Sequence, residues 1–259
     1  MKEGILRSFE CPSDPSRPRR NPFIQNLERA ILVPERCEDQ GLAGISAARL
    51  PLSSNLGGVT VAVTPGNGGS TLSAYPTYVS AGQINAILAN STPVGLDNVT
   101  VPFNDVSRQP APIQVVKSSF GIFTANFGSG PAAVIDLSTS DPIPSSTNPA
   151  RPGDILELFG TGLGAVNTPD NDAPGGVISP PGLTVQVIVG DQSITPLYAG
   201  RSPQFPAEDQ VNFQLPPAGV VAEGCSVSVS VVVNGATSNT ATLPIASSGA
   251  ACSAGNGPF

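Results

Sequence analysis

The residues of this chain whose types and spacing could do chemistry are carboxylates, thiols and amides, and its 259 residues include no histidine. That excludes Ser-His-Asp and Cys-His nucleophile systems and any histidine-containing metal site. Paired carboxylates remain open as an acid–base device. Asp154 and Glu157 stand three apart on an expected strand, where alternation sends them to opposite faces. Glu208-Asp209 is a loop pair whose simplest reading is a solvated charge cluster. Asp170-Asn171-Asp172, ahead of Gly175-Gly176, offers hard oxygen donors of the kind calcium takes. Pro174 and the lack of a bidentate Glu at the right distance depart from an EF-hand, and an ordinary polar turn is the competing reading of Asp170 and Asp172. Phe159-Gly160-Thr161-Gly162-Leu163-Gly164 has the look of a phosphate loop but lacks the lysine, so it reads as a turn. No cofactor is expected.

The four cysteines are candidates for disulfides: Cys225 with Cys252 across the last hairpin, and Cys11 with Cys37 near the start, against four free thiols. No pair has CxxC spacing, which argues against zinc. The remaining candidates are binding residues. Gln83 and Asn85 recur as Gln210 and Asn212, a polar pair that either meets a ligand or satisfies the backbone of a neighbouring loop. Tyr75, Tyr78 and Tyr198 are the tyrosines a sugar would need for stacking, and the chain has no tryptophan.

These residues sit in strands. Val59, Val61 and Val63 alternate with Thr60 and Ala62, and Val227, Val229, Val231 and Val233 alternate with Ser226, Ser228 and Ser230, the period of a strand with one buried face. Asn234-Gly235 supplies a two-residue hairpin. A strand over 99–103 holds Pro102, which cannot donate to a ladder and marks an edge. The grammar is also stated twice. Leu56-Gly57-Gly58-Val59-Thr60-Val61, Tyr78 to Asn85 and Val99-Thr100-Val101 are echoed by Gly182-Leu183-Thr184-Val185, Tyr198 to Asn212 and Val227-Ser228-Val229. Val61 to Val185, Gln83 to Gln210 and Val101 to Val229 are 124, 127 and 128 positions apart, a near-constant offset that indicates a duplicated domain.

Composition supports many short strands: 39% hydrophobic and 12% charged residues, with 28 Gly and 28 Pro. Residues 50–259 carry four basic and twelve acidic side chains, which lacks the basic footprint of a phosphate-backbone binder and excludes nucleic acid as the expected partner. No run reaches the roughly 18 apolar residues of a membrane span. Met1 to Ser8 is charged with no apolar signal-peptide core after it, whereas the low charge, single Met and abundant Ser, Thr, Asn and Gly are those of an exported bacterial β-domain, so a missing or misplaced N-terminus is expected.

The run from Arg151-Pro152-Gly153-Asp154 to Leu163-Gly164, with Leu197-Tyr198-Ala199-Gly200, Gln210-Val211-Asn212, Val233-Asn234-Gly235 and Ser238-Asn239, closely resembles the Solibacter-type C-terminal domain of acidobacterial proteins. Tyr78 to Asn85 and Phe120-Gly121-Ile122-Phe123-Thr124 match it in the first copy. The resemblance covers about residues 50–247 and implies tandem immunoglobulin-like units of the IPT/TIG kind at the end of large exported proteins.

The expectation is therefore an all-β chain of two tandem immunoglobulin-like sandwiches. Residues 1–48 are an irregular segment, 49–117 a first, incomplete sandwich, 118–147 a packed bridge between domains, 148–247 the second sandwich and 248–259 a tail. Residues 24–33 read either as a strand at Ala30-Ile31-Leu32-Val33 or as an amphipathic helix, and the corner that should open the first copy is missing. The expected function is a non-enzymatic, extracellular or cell-surface module for presentation, adhesion or protein–protein interaction, its partner an extracellular or cell-envelope polymer or protein met on loops 167–181 and 203–209. The alternative is a carbohydrate-binding module.

Overall fold

The computed structural model describes residues 44–80, 82–106, 109–248 and 250–252, and every regular element among them is a strand. The expectations for residues 24–33 and for Cys11 and Cys37 lie outside the described residues. No helix among the described residues is long and apolar enough to cross a membrane.

The first unit holds β1 (Ile45–Ser46), β2 (Asn55–Leu56), β3 (Val59–Pro65), β4 (Leu72–Ser80), β5 (Gln83–Ile87), β6 (Gly95–Thr100) and β7 (Ala111–Val115). They pair in the order β1-β4-β3-β6-β7, with β2 on β3 and β5 on β4. Val59, Val61 and Val63 are the buried face of β3, as the alternation requires. β4 changes partner partway: residues 72–74 pair with β3, and residues 75–80 pair with β5. The register slips between Pro76 and Tyr78, where proline has no N–H for the ladder. The change of partner lets Val79, Ala86 and Leu88 pack in one core with Val59, Val61, Val63, Val99 and Ile113. β6 ends at Thr100, before Pro102, and runs between β3 and β7. The edge position expected from Pro102 is therefore corrected: the proline lies beyond the strand.

The second unit begins with β8 (Gly121–Ile122), β9 (Thr124–Asn126), β10 (Ser129–Ala132), β11 (Val134–Asp136) and β12 (Ile155–Thr161). It continues with β13 (Val185–Val189), β14 (Gln192–Ile194), β15 (Tyr198–Arg201), β16 (Asp209–Gln214), β17 (Gly224–Val233), β18 (Ala236–Thr237) and β19 (Ala241–Ile245). One sheet runs β14-β13-β17-β19-β10-β9 with β18 on β17, and the other runs β11-β12-β16-β15 with β8 on β12. Leu156, Leu158, Val211 and Phe213 from the second meet Val187, Val229, Val231 and Leu243 from the first in a single core, the layering of a β-sandwich. Asn234 and Gly235 take φ of 50° and 85° in the two-residue turn between β17 and β18.

Residues 118–147, expected as a bridge, carry β8 to β11, which pair with β12 and β19 of the second unit. Phe120 and Ile122 are in its core. Two asparagines of the last hairpin, Asn234 and Asn239, hold this segment in place. Asn239 accepts from the Ile122 N–H at 2.7 Å and donates to the carbonyls of Ile122 and Gly128, and Asn234 donates to the Ser118 hydroxyl at 2.9 Å.

Candidate functional site

The repeated amides bond to each other. Gln83 Nε2 donates to Asn85 Oδ1 at 2.9 Å, and Gln210 Nε2 donates to Asn212 Oδ1 at 3.3 Å. In both units the asparagine stands opposite a tyrosine on the neighbouring strand, Tyr78 across from Asn85 and Tyr198 across from Asn212. Asn85 and Gln210 are buried, so the pair satisfies polar groups that would otherwise be left dry.

None of the three tyrosines is exposed. The Tyr198 ring covers Gly200, where any Cβ would collide with its hydroxyl. That hydroxyl donates to the Arg201 carbonyl at 2.9 Å and accepts from the Ile178 N–H at 3.1 Å. Burial pushes its pKa upward. Tyr78 covers Gly44 in the same manner, and Tyr75 stands opposite Ile87. The rings thus serve as local covers, and the stacking role gains no support from them.

The glycine run after β12 is a packing device. Cβ atoms at Gly160, Gly162 and Gly164 would meet the carbonyl oxygens of Gly121, Ser119 and Lys117, so the alternate glycines let residues 117–121 lie against the corner. Beneath that corner the Arg201 guanidinium is paired with the Asp209 carboxylate, at 1% and 0% side-chain exposure. The two stand opposite each other on β15 and β16. Asp209 Oδ2 accepts from the Leu163 N–H at 2.8 Å, and Arg201 donates to the Gly164 carbonyl. Asp209 is thus a buried partner and not the solvated loop charge that its sequence context suggests. The pair escapes a motif search because its members lie eight residues apart and meet only through strand pairing.

The two loops expected to carry function lie together along β15. Gly175 donates to the Pro203 carbonyl at 3.0 Å, Arg201 N–H to the Ile178 carbonyl at 2.8 Å, and the Ser179 hydroxyl to the Ala199 carbonyl at 2.6 Å. The Thr161 hydroxyl holds the Ala207 carbonyl at 2.8 Å. On this anchored surface Val177 is 70% exposed and Phe205 52% exposed. The other end of the first loop is docked on the first unit through Asn90. Its amide accepts from the Val166 N–H at 2.9 Å and donates to the Thr168 carbonyl at 3.1 Å, and its backbone N–H meets Asp170 Oδ1 at 2.7 Å. Asn171 and Leu52 exchange two further bonds.

Asp170 and Asp172, weighed for calcium, therefore have work within the loop: Asp170 accepts from Asn90, and Asp172 Oδ1 accepts from the Ala173 N–H at 2.8 Å. Among the described residues no three or more metal-ligating side chains are grouped. The carboxyl pair that does form, Asp136 with Asp154, joins residues 18 apart in sequence. Burial, aided by the Asp154 hydrogen bond and charge, pushes the Asp136 carboxyl above the usual range. Each also holds a turn, Asp136 through the Ser138 N–H at 2.8 Å and Asp154 through the Arg151 N–H at 2.7 Å. Burial raises Glu157 and Glu208 as well, and the Glu157 charge adds to the shift at Glu208.

Cys225 and Cys252 are joined by a disulfide, Cα atoms 5.2 Å apart, which fastens residue 252 to the start of β17. The Cys252 N–H also donates to the Ser146 carbonyl at 2.9 Å. Compared with protein-family models and with curated proteins, the chain matches none.

Proposed function

We propose that this chain is a non-enzymatic binding module: two tandem immunoglobulin-like units of the IPT/TIG kind, from an exported bacterial protein, that present loops 167–181 and 203–209 to an extracellular or cell-envelope protein or polymer. The carrying observation is the exposure of Val177 and Phe205 on loops tied to each other and to β15 by backbone hydrogen bonds. Two exposed apolar side chains on loops bonded to one another supply the anchors a contact needs, and the first loop's attachment to Asn90 restricts it before binding, which lowers the ordering cost. The resemblance to the Solibacter-type C-terminal domain agrees with this reading, and of the carboxylates considered for catalysis Asp154 holds a turn and Asp209 the buried glycine corner.

Screening the purified chain against cell-envelope proteins and polysaccharides tests it. Binding at about micromolar affinity or weaker is expected, with the double variant Val177→Ser, Phe205→Ser weakening it by about tenfold or more. Unchanged binding in that variant moves the site elsewhere. Turnover of any substrate that is lost in Glu157→Gln or Glu208→Gln overturns the non-enzymatic reading.

A further inference from the structure

Loops 167–181 and 203–209 carry four carboxylates, Asp170, Asp172, Glu208 and Asp209, and their sequence holds no lysine or arginine. Two of the four are engaged inside the fold: Asp209 pairs with Arg201, and Asp170 accepts from the Asn90 N–H. Asp172 and Glu208 are partly exposed. Asp172 accepts from the Ala173 N–H and Glu208 from the Ser202 hydroxyl, both neutral donors. Glu208 stands at the base of the Phe205 loop, which closes through the Ser202 N–H donating to the Glu208 carbonyl at 2.9 Å. Pro203, next to that closure, accepts from the Gly175 N–H at 3.0 Å and so brings the Val177 loop alongside. Exposed apolar side chains and negative charge thus share one surface.

Such a surface selects its partner by charge. An anionic polymer is repelled from it, whereas a cation carried beside an apolar side chain gains from both kinds of contact. Burial and the Glu157 charge on β12 make a negative charge at Glu208 unfavourable, and the neighbouring Arg201–Asp209 pair already balances its own charges. An incoming ammonium or guanidinium therefore relieves Glu208 as well as being attracted by it. Taking these loops as the binding surface, the reading on which this inference rests, we propose that the partner is a cationic and apolar protein segment in which lysine or arginine stands beside large apolar side chains. The apolar side chains cover Val177 and Phe205, and the basic ones meet Glu208 and Asp172.

Fluorescence anisotropy on the full chain tests this with short labelled peptides of matched length that alternate leucine with lysine, with glutamate or with glutamine. The leucine–lysine peptide is expected to bind about tenfold or more tightly than the other two, and to weaken by about tenfold between about 0.05 M and 0.5 M salt. The double variant Asp172→Asn, Glu208→Gln should weaken it by about tenfold at low salt, and Glu208→Lys should turn the preference toward the leucine–glutamate peptide. A leucine–glutamate peptide that binds the parent chain as tightly, or leucine–lysine binding indifferent to Asp172→Asn, Glu208→Gln, overturns the cationic partner. So does a neutral polysaccharide, dextran, that binds through Val177 and Phe205 where the leucine–lysine peptide does not. Leucine–lysine binding that ignores Val177→Ser, Phe205→Ser instead removes the loops as the binding surface, so the two failures are told apart.

Discussion

Arg201 and Asp209 are the most deeply buried polar residues of the second unit. Arg201 and Asp209 are buried as an ion pair, and each also reaches the backbone of the glycine corner. A buried pair of this kind contributes modestly against an apolar replacement, but removing one partner strands the other without water. Arg201→Met is therefore expected to cost about 3–5 kcal/mol, read by urea unfolding, and Arg201→Met with Asp209→Leu to recover most of that loss. Equal losses in the single and double variants would mean that the corner contacts, and not the stranded charge, carry the effect. Asp136 makes a second residue-scale case. Its carboxyl is raised from 3.8 by burial and by Asp154, so the native state binds a proton more tightly than the unfolded chain. The stability it contributes is present at low pH and is lost as pH rises from about 4 through its raised native value. Asp136→Asn keeps an oxygen for the Ser138 N–H and removes the titration. Unfolding followed between pH 4 and pH 7 should fall less steeply with pH in the variant than in the parent, and identical slopes would refute the assignment.

Strands and their partners were legible to different depths. Val alternation marks β3 and β17 because one face is buried and the other is polar, and Asn234-Gly235 marks the turn because it takes positive φ. The membership of β8 to β11 was not legible. Phe120 and Phe123 signal burial, but an apolar side chain does not say against which neighbour, and β10 joins β19 in parallel through contacts more than a hundred residues away. Pro102 misled because a proline near a strand and one within it look alike in sequence. The candidate amides were legible as a repeat, whereas their bond to each other depends on two side chains sharing one face of a strand. The paired asparagines and Phe120 make residues 118–147 part of the second core, which sets a prediction at this scale. A segment of 118–247 should melt cooperatively, while 148–247, lacking β8 to β11 and leaving apolar surface of β12 and β19 uncovered, should melt broadly or at lower temperature. Equal cooperative transitions for the two segments would show that β8 to β11 are dispensable. Reduction of Cys225–Cys252, which closes 27 residues, should separately lower stability by about 3.5 kcal/mol in the loop-entropy account.

At the scale of the molecule, a cluster of polar contacts centred on Asn90 joins the two units. The Asn90 amide meets Val166 N–H and Thr168 C=O much as a neighbouring strand would, and its backbone N–H takes Asp170, while Leu52 and Asn171 bond reciprocally alongside. The two apolar cores are otherwise separate clusters. The polar contacts at this junction are each worth about 1 kcal/mol net and more costly when one partner is left dry, and Leu52 and Val166 are buried beside them. The same loop, 167–181, continues from the docked end to exposed Val177. Asn90→Ala removes both amide contacts and keeps the backbone bond to Asp170. It should separate the calorimetric unfolding into two transitions, or widen an existing gap, by lowering the first unit's midpoint with the second unit's nearly unchanged. It should also raise the mobility of 166–171 in hydrogen exchange and, with the loop no longer pre-ordered, weaken binding through Val177 and Phe205 without touching either side chain. A variant that unfolds and exchanges like the parent would show that the units are coupled by something other than this clamp.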